Sequence, residues 1–510
     1  MSLTVLAGCT DSPATPPPAP TSAAPSGASS AAPAQVREVD AAGDRLTMTV
    51  QPLARRDETV VLTIATRLDA AHDGVKSARI TDPFSTLTSS AFDNVRLVDP
   101  AGRRVWTIAP GADGKGCMCT GSLRADVGET QSLQAVFTGV PADVTRLAVM
   151  LPYAGVFPDV PVVPGDLPGP IDATGAGASH SASLDAWTER LDAPITTRRT
   201  PSQVDINLDA DVLFRLDEAT LTAAGTRAVR AMVTDLQAAG PAALTITGHT
   251  DNTGATAHNQ RLSEQRARTV AQAITGSLPL KSWPQTVAGR GEKEPAASNK
   301  EADGRRRNRR VTVSYRLTAP PAPASSAPAV APSAPVVAPS APGPAPSAPA
   351  APARAVPLPK TKGTVGTAAT GVEVALPLNR GTLRLTAAPA RAIGPFLQVD
   401  LLAANIGDDD AIIHDYLGQG VFTVRDEFDP YARFGASGVR TMAGGSVGYN
   451  LDYVIEKGGH RCLCDRVLNG RIPPGSTRTI ALWFPAPPPG TTEIALDVPD
   501  NFRLTGVPIS

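Results

Sequence analysis

Gly248-His249-Thr250-Asp251-Asn252-Thr253-Gly254, then Asn259, then Leu262-Ser263-Glu264-Gln265-Arg266-Ala267, is the stretch on which the reading of this 510-residue chain turns. Leu244–Thr247 just before it reads as a buried strand, and Asn259–Thr275 as a helix. Leu262, Val270 and Ile274 mark the apolar face of that helix. At about 100° per residue, Arg266 lies about 40° from Leu262 and again from Val270, within the inward face. A guanidinium taken out of water requires a partner. Asp251 sits in the loop feeding the helix, and the open N–H groups of the helix start favour an anionic group. A guanidinium fork matches a carboxylate, and an aspartate matches an ammonium. An amino-acid head group satisfies both at once. The same two residues would equally serve as an ion pair closing the loop onto the helix. The pattern holds a ligand and performs no chemistry on it, so a binding protein is expected rather than an enzyme, with no cofactor.

Outward from this stretch, residues 203–317 alternate strand and helix. Val204–Phe214 reads as a strand. Thr222–Ala239 reads as a helix, with Val229, Met232, Val233 and Leu236 at i, i+3, i+4 and i+7. Thr222 suits its N-cap and Gly240-Pro241 stops it. Thr286–Ala288 and Arg310–Leu317 read as closing strands, giving the order β-α-β-α-β-β in an α+β block.

Gly248-His249-Thr250-Asp251, Gly254, Asn259, Leu262-Ser263, Arg266-Ala267 and Asn308-Arg309-Arg310-Val311 together resemble the OmpA-like (OmpA/Pal/MotB C-terminal) peptidoglycan-binding domain. The resemblance covers about 115 of the 510 residues, 203–317. It implies non-covalent binding of the diaminopimelate in peptidoglycan stem peptides. Asp251 then takes the amine, Arg266 the carboxylate, and Thr253, Asn259 and Arg309 match further contact positions. One departure is Phe214-Arg215, where the family usually has Phe-Asp; Asp217 follows two residues later. Arg305-Arg306-Arg307 is more basic than the pattern requires and is expected to add affinity for anionic wall polymers.

The flanking blocks, 36–162 and 360–510, look like copies of one another. Gly128, Phe137, Pro141, Leu147, Pro152 and Pro161 recur at the same offsets as Gly475, Phe484, Pro488, Ile494, Pro499 and Pro508. A Cys-x-Cys pair precedes each frame, shifted by two residues. Short alternating runs bounded by Gly, Pro and Asp predict antiparallel β, as a β-sandwich module of immunoglobulin-like type at each end. Such a fold by itself says little about function. Residues 10–35, 163–202 and 318–359 read as Pro/Ala- or Gly-rich linkers.

Of five cysteines, Cys117/Cys119 and Cys462/Cys464 pair off as disulfide candidates, leaving Cys9. Leu6-Ala7-Gly8-Cys9 resembles the lipobox of bacterial lipoproteins, followed by a Pro/Ala/Ser tether. Only eight residues precede Cys9 and none is Lys or Arg, a departure from the basic and longer apolar parts of such leaders, so residues 1–9 read as a partial signal segment. The expectation is a cell-envelope lipoprotein facing the wall, held in the membrane by its N-terminal lipid and touching peptidoglycan. The β modules are candidates for an envelope protein partner. Two alternatives stay open: redox or metal handling by the Cys-x-Cys pairs, and an adhesin or scaffold role for the β modules. A net charge of −1 gives no reason to expect nucleic acid. His249 with Asp251 and Ser263 does not read as a catalytic triad, and His249 with His258 lacks a third metal ligand. Asp408-Asp409-Asp410 reads as a solvated turn.

Overall fold

A computed structural model describes residues 34–86, 89–317, 356–377, 380–413, 416–418, 435–455, 458–465 and 471–510. Cys9 and the linkers over 10–33 and 318–355 lie outside the described residues. Through the middle the chain forms β1 (Ala186–Arg190), β2 (Ile195–Arg199), β3 (Gln203–Asp209), α1 (Ala210–Leu213), α2 (Ala223–Ala239), β4 (Leu244–His249), α3 (Thr256–Thr275), β5 (Gln285–Gly291), α4 (Ala302–Asn308) and β6 (Arg310–Arg316). The first strand stops short of Phe214. Asp209 Oδ1 accepts the Asp211 N–H at 2.9 Å, and this cap turns the chain into α1. The Arg305–Arg307 run sits in the last turn of α4, where cations suit the helix dipole.

The sheet order here is β5-β4-β6-β3-β2-β1, with β4 and β5 parallel. Alternation along β3, β4 and β6 sends Val204, Ile206, Leu208, Leu244, Ile246, Val311 and Val313 to one face, where α2 and α3 cover them. Helix α2 is capped by Thr222 Oγ1, which accepts the Gly225 N–H at 2.8 Å, and it ends at Gly240 with φ +89°. Helix α3 lies close on the sheet. A Cβ added at Gly248 would sit 2.0 Å from the Ser263 carbonyl oxygen, and one at Gly289 would sit 2.6 Å from Ser263 Oγ. Those two glycines set the seat of the helix that carries Asn259 and Arg266.

Residues 163–202, read as a linker, contain Ser181–Ser183, β1 and β2. Strand β2 pairs with β3, and β1 pairs with Ser446–Tyr449 of the third block (Thr188↔Gly448, Glu189↔Val447, Arg190↔Ser446). With β7 (Thr364–Thr367), β8 (Arg440–Ala443), β9 (Ser446–Tyr449), β10 (Glu493–Val498) and β11 (Phe502–Pro508), one sheet of eleven strands runs β5-β4-β6-β3-β2-β1-β9-β8-β10-β11-β7. The middle block therefore joins the third through backbone hydrogen bonds.

The two outer blocks are mostly β and share a wiring scheme. Thr59–Ala70 pairs with Thr130–Phe137 in the first, and Phe396–Asn405 pairs with Thr477–Pro485 in the third. The hairpin Arg96–Asp99/Arg104–Thr107 corresponds to β8/β9, and Ser181–Ser183 borders the first hairpin as β1 borders the second. The cysteines follow suit. Cys119 bridges to Ala135 and Cys464 to Leu482, which are equivalent positions in the repeat frame. The two-residue shift falls between the cysteine pair and the strand. Each block closes on its own apolar core.

The outer blocks also share a core. Val98, Val105, Ala148 and Met150 pack in one cluster with Phe396, Leu451, Tyr453 and Trp483. Across the same interface Arg96 Nε donates to the Tyr453 hydroxyl at 2.9 Å, and Arg478 Nη1 donates to the Tyr153 hydroxyl at 3.0 Å. Residues 34–510 consequently form one compact unit. Among the described residues no helix is long and apolar enough to cross a membrane.

Candidate functional site

The expected site residues gather where β4 runs into α3. Asp251 is buried and makes a tight turn, with Oδ1 accepting the Thr253 N–H at 2.9 Å. Its other oxygen, Oδ2, accepts Arg309 Nη1 at 2.6 Å. Arg309 is in turn gripped at both ends by Asp211, Nε to Oδ1 at 2.7 Å and Nη2 to Oδ2 at 2.6 Å. Burial pushes the Asp251 carboxyl up, but the Thr253 N–H and the Arg309 guanidinium outweigh it and hold the group below its ordinary value. Hydrogen bonding to Asp211 keeps Arg309 charged despite partial burial.

Arg266 is buried yet does not pair with Asp251. Its Nε donates to the Glu218 carbonyl at 2.9 Å and Nη2 to the Arg215 carbonyl at 3.4 Å, over the ring of Phe214 at 5.2 Å. Among the described residues Nη1 has no protein acceptor. Burial draws this guanidinium down, while Asp211, Asp217 and Asp251 favour its charge. The departure at Arg215 thus costs no acceptor, because the backbone supplies it. Asn259 holds the loop in place: its amide donates to the carbonyls of Asp251 at 3.4 Å and Thr253 at 3.1 Å and to Glu292 Oε2 at 2.7 Å.

Two participants escaped the sequence reading. Asp211 has a faint signal in Asp209-Ala210-Asp211 after a strand, which reads as a cap. Glu292, which also accepts from Thr256 Oγ1 at 3.0 Å, has none. Asn308 is a buried stitch rather than a contact: its Oδ1 accepts the N–H groups of Ala296 at 2.8 Å and Ala297 at 2.9 Å. His249 is buried and neutral, pushed down to about 3 by desolvation and then by Arg310 and Arg290. In each Cys-x-Cys the two sulfurs are joined, with Cα atoms 5.2 Å apart.

Fold and site together define an α+β module with a charged pocket at the mouth of its sheet. Residues 213–309 match the model of the OmpA family. YfiB of Escherichia coli (strain K12), named a lipoprotein, is 36% identical over 110 residues, 21% of this chain and 68% of YfiB. Outer membrane protein A of Bordetella avium is 33% identical over 115 residues, 22% of this chain and 58% of that protein. Peptidoglycan-binding protein ArfA of Mycobacterium bovis is 37% identical over 102 residues, 20% of this chain and 31% of ArfA. The chain thus spans less than two thirds of the last two. It belongs to the OmpA family through its middle block.

Proposed function

We propose that this protein is a cell-envelope lipoprotein, anchored through Cys9, whose middle block grips peptidoglycan without cleaving it by recognising diaminopimelate. The observation that carries this reading is the closeness of an ionised carboxylate, Asp251, to a guanidinium, Arg266, that keeps Nη1 without a protein acceptor. A diaminopimelate amine adds to Asp251, whose two oxygens each retain a lone pair beyond Thr253 and Arg309. The neighbouring carboxylate takes Arg266 Nη1, and the Thr253 hydroxyl stands at the rim. Membership of the OmpA family and similarity to a protein named peptidoglycan-binding support the wall as partner, and a relative named a lipoprotein supports the anchor.

We read the paired β modules as immunoglobulin-like supports and their Cys-x-Cys pairs as structural disulfides. The test is co-sedimentation of the whole chain with purified peptidoglycan beside Asp251→Ala and Arg266→Ala, each checked for folding by circular dichroism. Wild type pelleting while both variants stay in solution supports the reading. Equal pelleting of all three removes it.

A further inference from the structure

The face of the sheet opposite α2 and α3 lines a cleft of about 1060 Å³, closed on its far side by β1, β2 and the third block. Its acids are engaged. Asp209 takes Arg306 at 2.7 Å, Glu189 accepts the Tyr449 hydroxyl at 2.7 Å, and Asp205 accepts Ser314 Oγ at 2.7 Å. Its donors are not. Arg310 meets only carbonyl oxygens, of Asn308 at 3.4 Å and Glu294 at 3.3 Å, and among the described residues it forms no ion pair. Burial draws that guanidinium down to about 10, against the pull of Glu294 and Asp205, neither of which bonds it directly. Asn207 Oδ1 accepts from Thr312 Oγ1 at 2.8 Å, which leaves its NH2 group without a protein acceptor. His249, 4% exposed, has Nδ1 unpartnered, and so has the indole N–H of Trp187. Unmet donors beside an aromatic ring suit a ligand rich in oxygen and negatively charged. The volume exceeds what one sugar ring fills.

We infer that this cleft binds an acidic saccharide, with its carboxylate or phosphate on Arg310 and Asn207 and a ring against Trp187. The cleft borders the Asp251 site at Arg309 but contains neither Asp251 nor Arg266, and it is completed only by the junction with the third block. Titration calorimetry on the whole chain tests it with three probes: peptide-free N-acetylglucosaminyl-N-acetylmuramic acid, glucose 1-phosphate, and uncharged N,N′-diacetylchitobiose. Either acidic sugar should bind at least ten-fold more tightly than chitobiose. The tighter of the two tells whether the acid comes from wall glycan or from a phosphate polymer. Asn207→Asp keeps the acceptor of Thr312 and should weaken binding at least ten-fold; Trp187→Leu gives a second, uncharged variant with the same expected loss. Arg266→Ala should leave it within two-fold. Absence of binding by both acidic sugars at millimolar concentration, equal binding of chitobiose, or loss of binding in Arg266→Ala overturns the proposal.

Discussion

Replacing Gly248 with Ala tests whether the seat of α3 on the sheet positions the pocket. The new Cβ would lie 2.0 Å from the Ser263 carbonyl oxygen and 2.8 Å from its carbon, against 3.4 Å for an ordinary contact. The difference, 3.4 minus 2.0, asks helix and strand to part by about 1.4 Å. Both sides are backbone, so no rotamer change relieves it. Overpacking of this kind costs about 1–3 kcal/mol and sometimes more, and we expect the upper end, about 3 kcal/mol. The shift also exceeds the roughly 0.5 Å within which a binding constellation keeps its geometry. Arg266 lies three residues beyond Ser263 on the same helix. Affinity for a diaminopimelate-containing muropeptide should therefore fall by about 100-fold, in line with the cost of an ångström-scale misplacement. Urea unfolding followed by circular dichroism gives the first number and calorimetry the second. Gly240→Ala is the control. Unlike Gly248, Gly240 has a positive φ, +89°, but an added Cβ there meets nothing within 4 Å, so it should lose only about 1–2 kcal/mol and no affinity. A Gly248→Ala protein within about 0.5 kcal/mol of wild type and with unchanged affinity would refute this account of the helix seat.

Asp251→Asn keeps an acceptor for the Thr253 N–H but removes the charge, a loss of about 1.5–3 kcal/mol in ligand binding, or roughly 10- to 150-fold. Because the folded Asp251 titrates below its ordinary value, its stabilising contribution is complete above the unfolded value of about 3.9 and disappears as pH falls through the folded one. Unfolding measured from about pH 6 to pH 2 should show a loss in wild type that Asp251→Asn lacks. Tyr453→Phe leaves the buried Arg96 Nε without its acceptor and should lower the urea midpoint by the equivalent of about 1–3 kcal/mol, in a single transition shared by both outer blocks. After reduction of the native protein, mass spectrometry of alkylated peptides should find Cys117 and Cys119 modified before Cys462 and Cys464, of which the latter pair is buried and the former half-buried.

Periodicity made the two long helices legible, because Val229, Met232, Val233 and Leu236 must share one face whatever they meet. It also placed Arg266 on the inward side of α3. It could not supply the partner. Asp211 lies forty residues before Asp251 in the numbering and meets it only through Arg309, after β3 and β6 have paired. Strands β1 and β2 were hidden for another reason. Each offers little apolar alternation, in Ala186-Trp187-Thr188-Glu189-Arg190 and Ile195-Thr196-Thr197-Arg198-Arg199, and the pair follows a Gly/Pro/Ala-rich run. Their order comes from backbone pairing with β3 and β9, which side-chain pattern does not encode. Phe396 and Trp483 lie in paired strands of the third block. A pattern shows that a residue is buried but not which segment buries it, and here Met150 and Val98 of the first block contribute.

Leu317, at the end of the middle block, donates its N–H to the Ser202 carbonyl at 2.9 Å. Val356, where the third block begins, lies against Gly445 beside β9, the strand that β1 joins. Leu317 and Val356, on either side of residues 318–355, thus both belong to one compact unit. If the chain links membrane to wall as proposed, load passes from the first block into the third across their common core, and from β9 through β1 and β2 to β3, the strand that ends at the site.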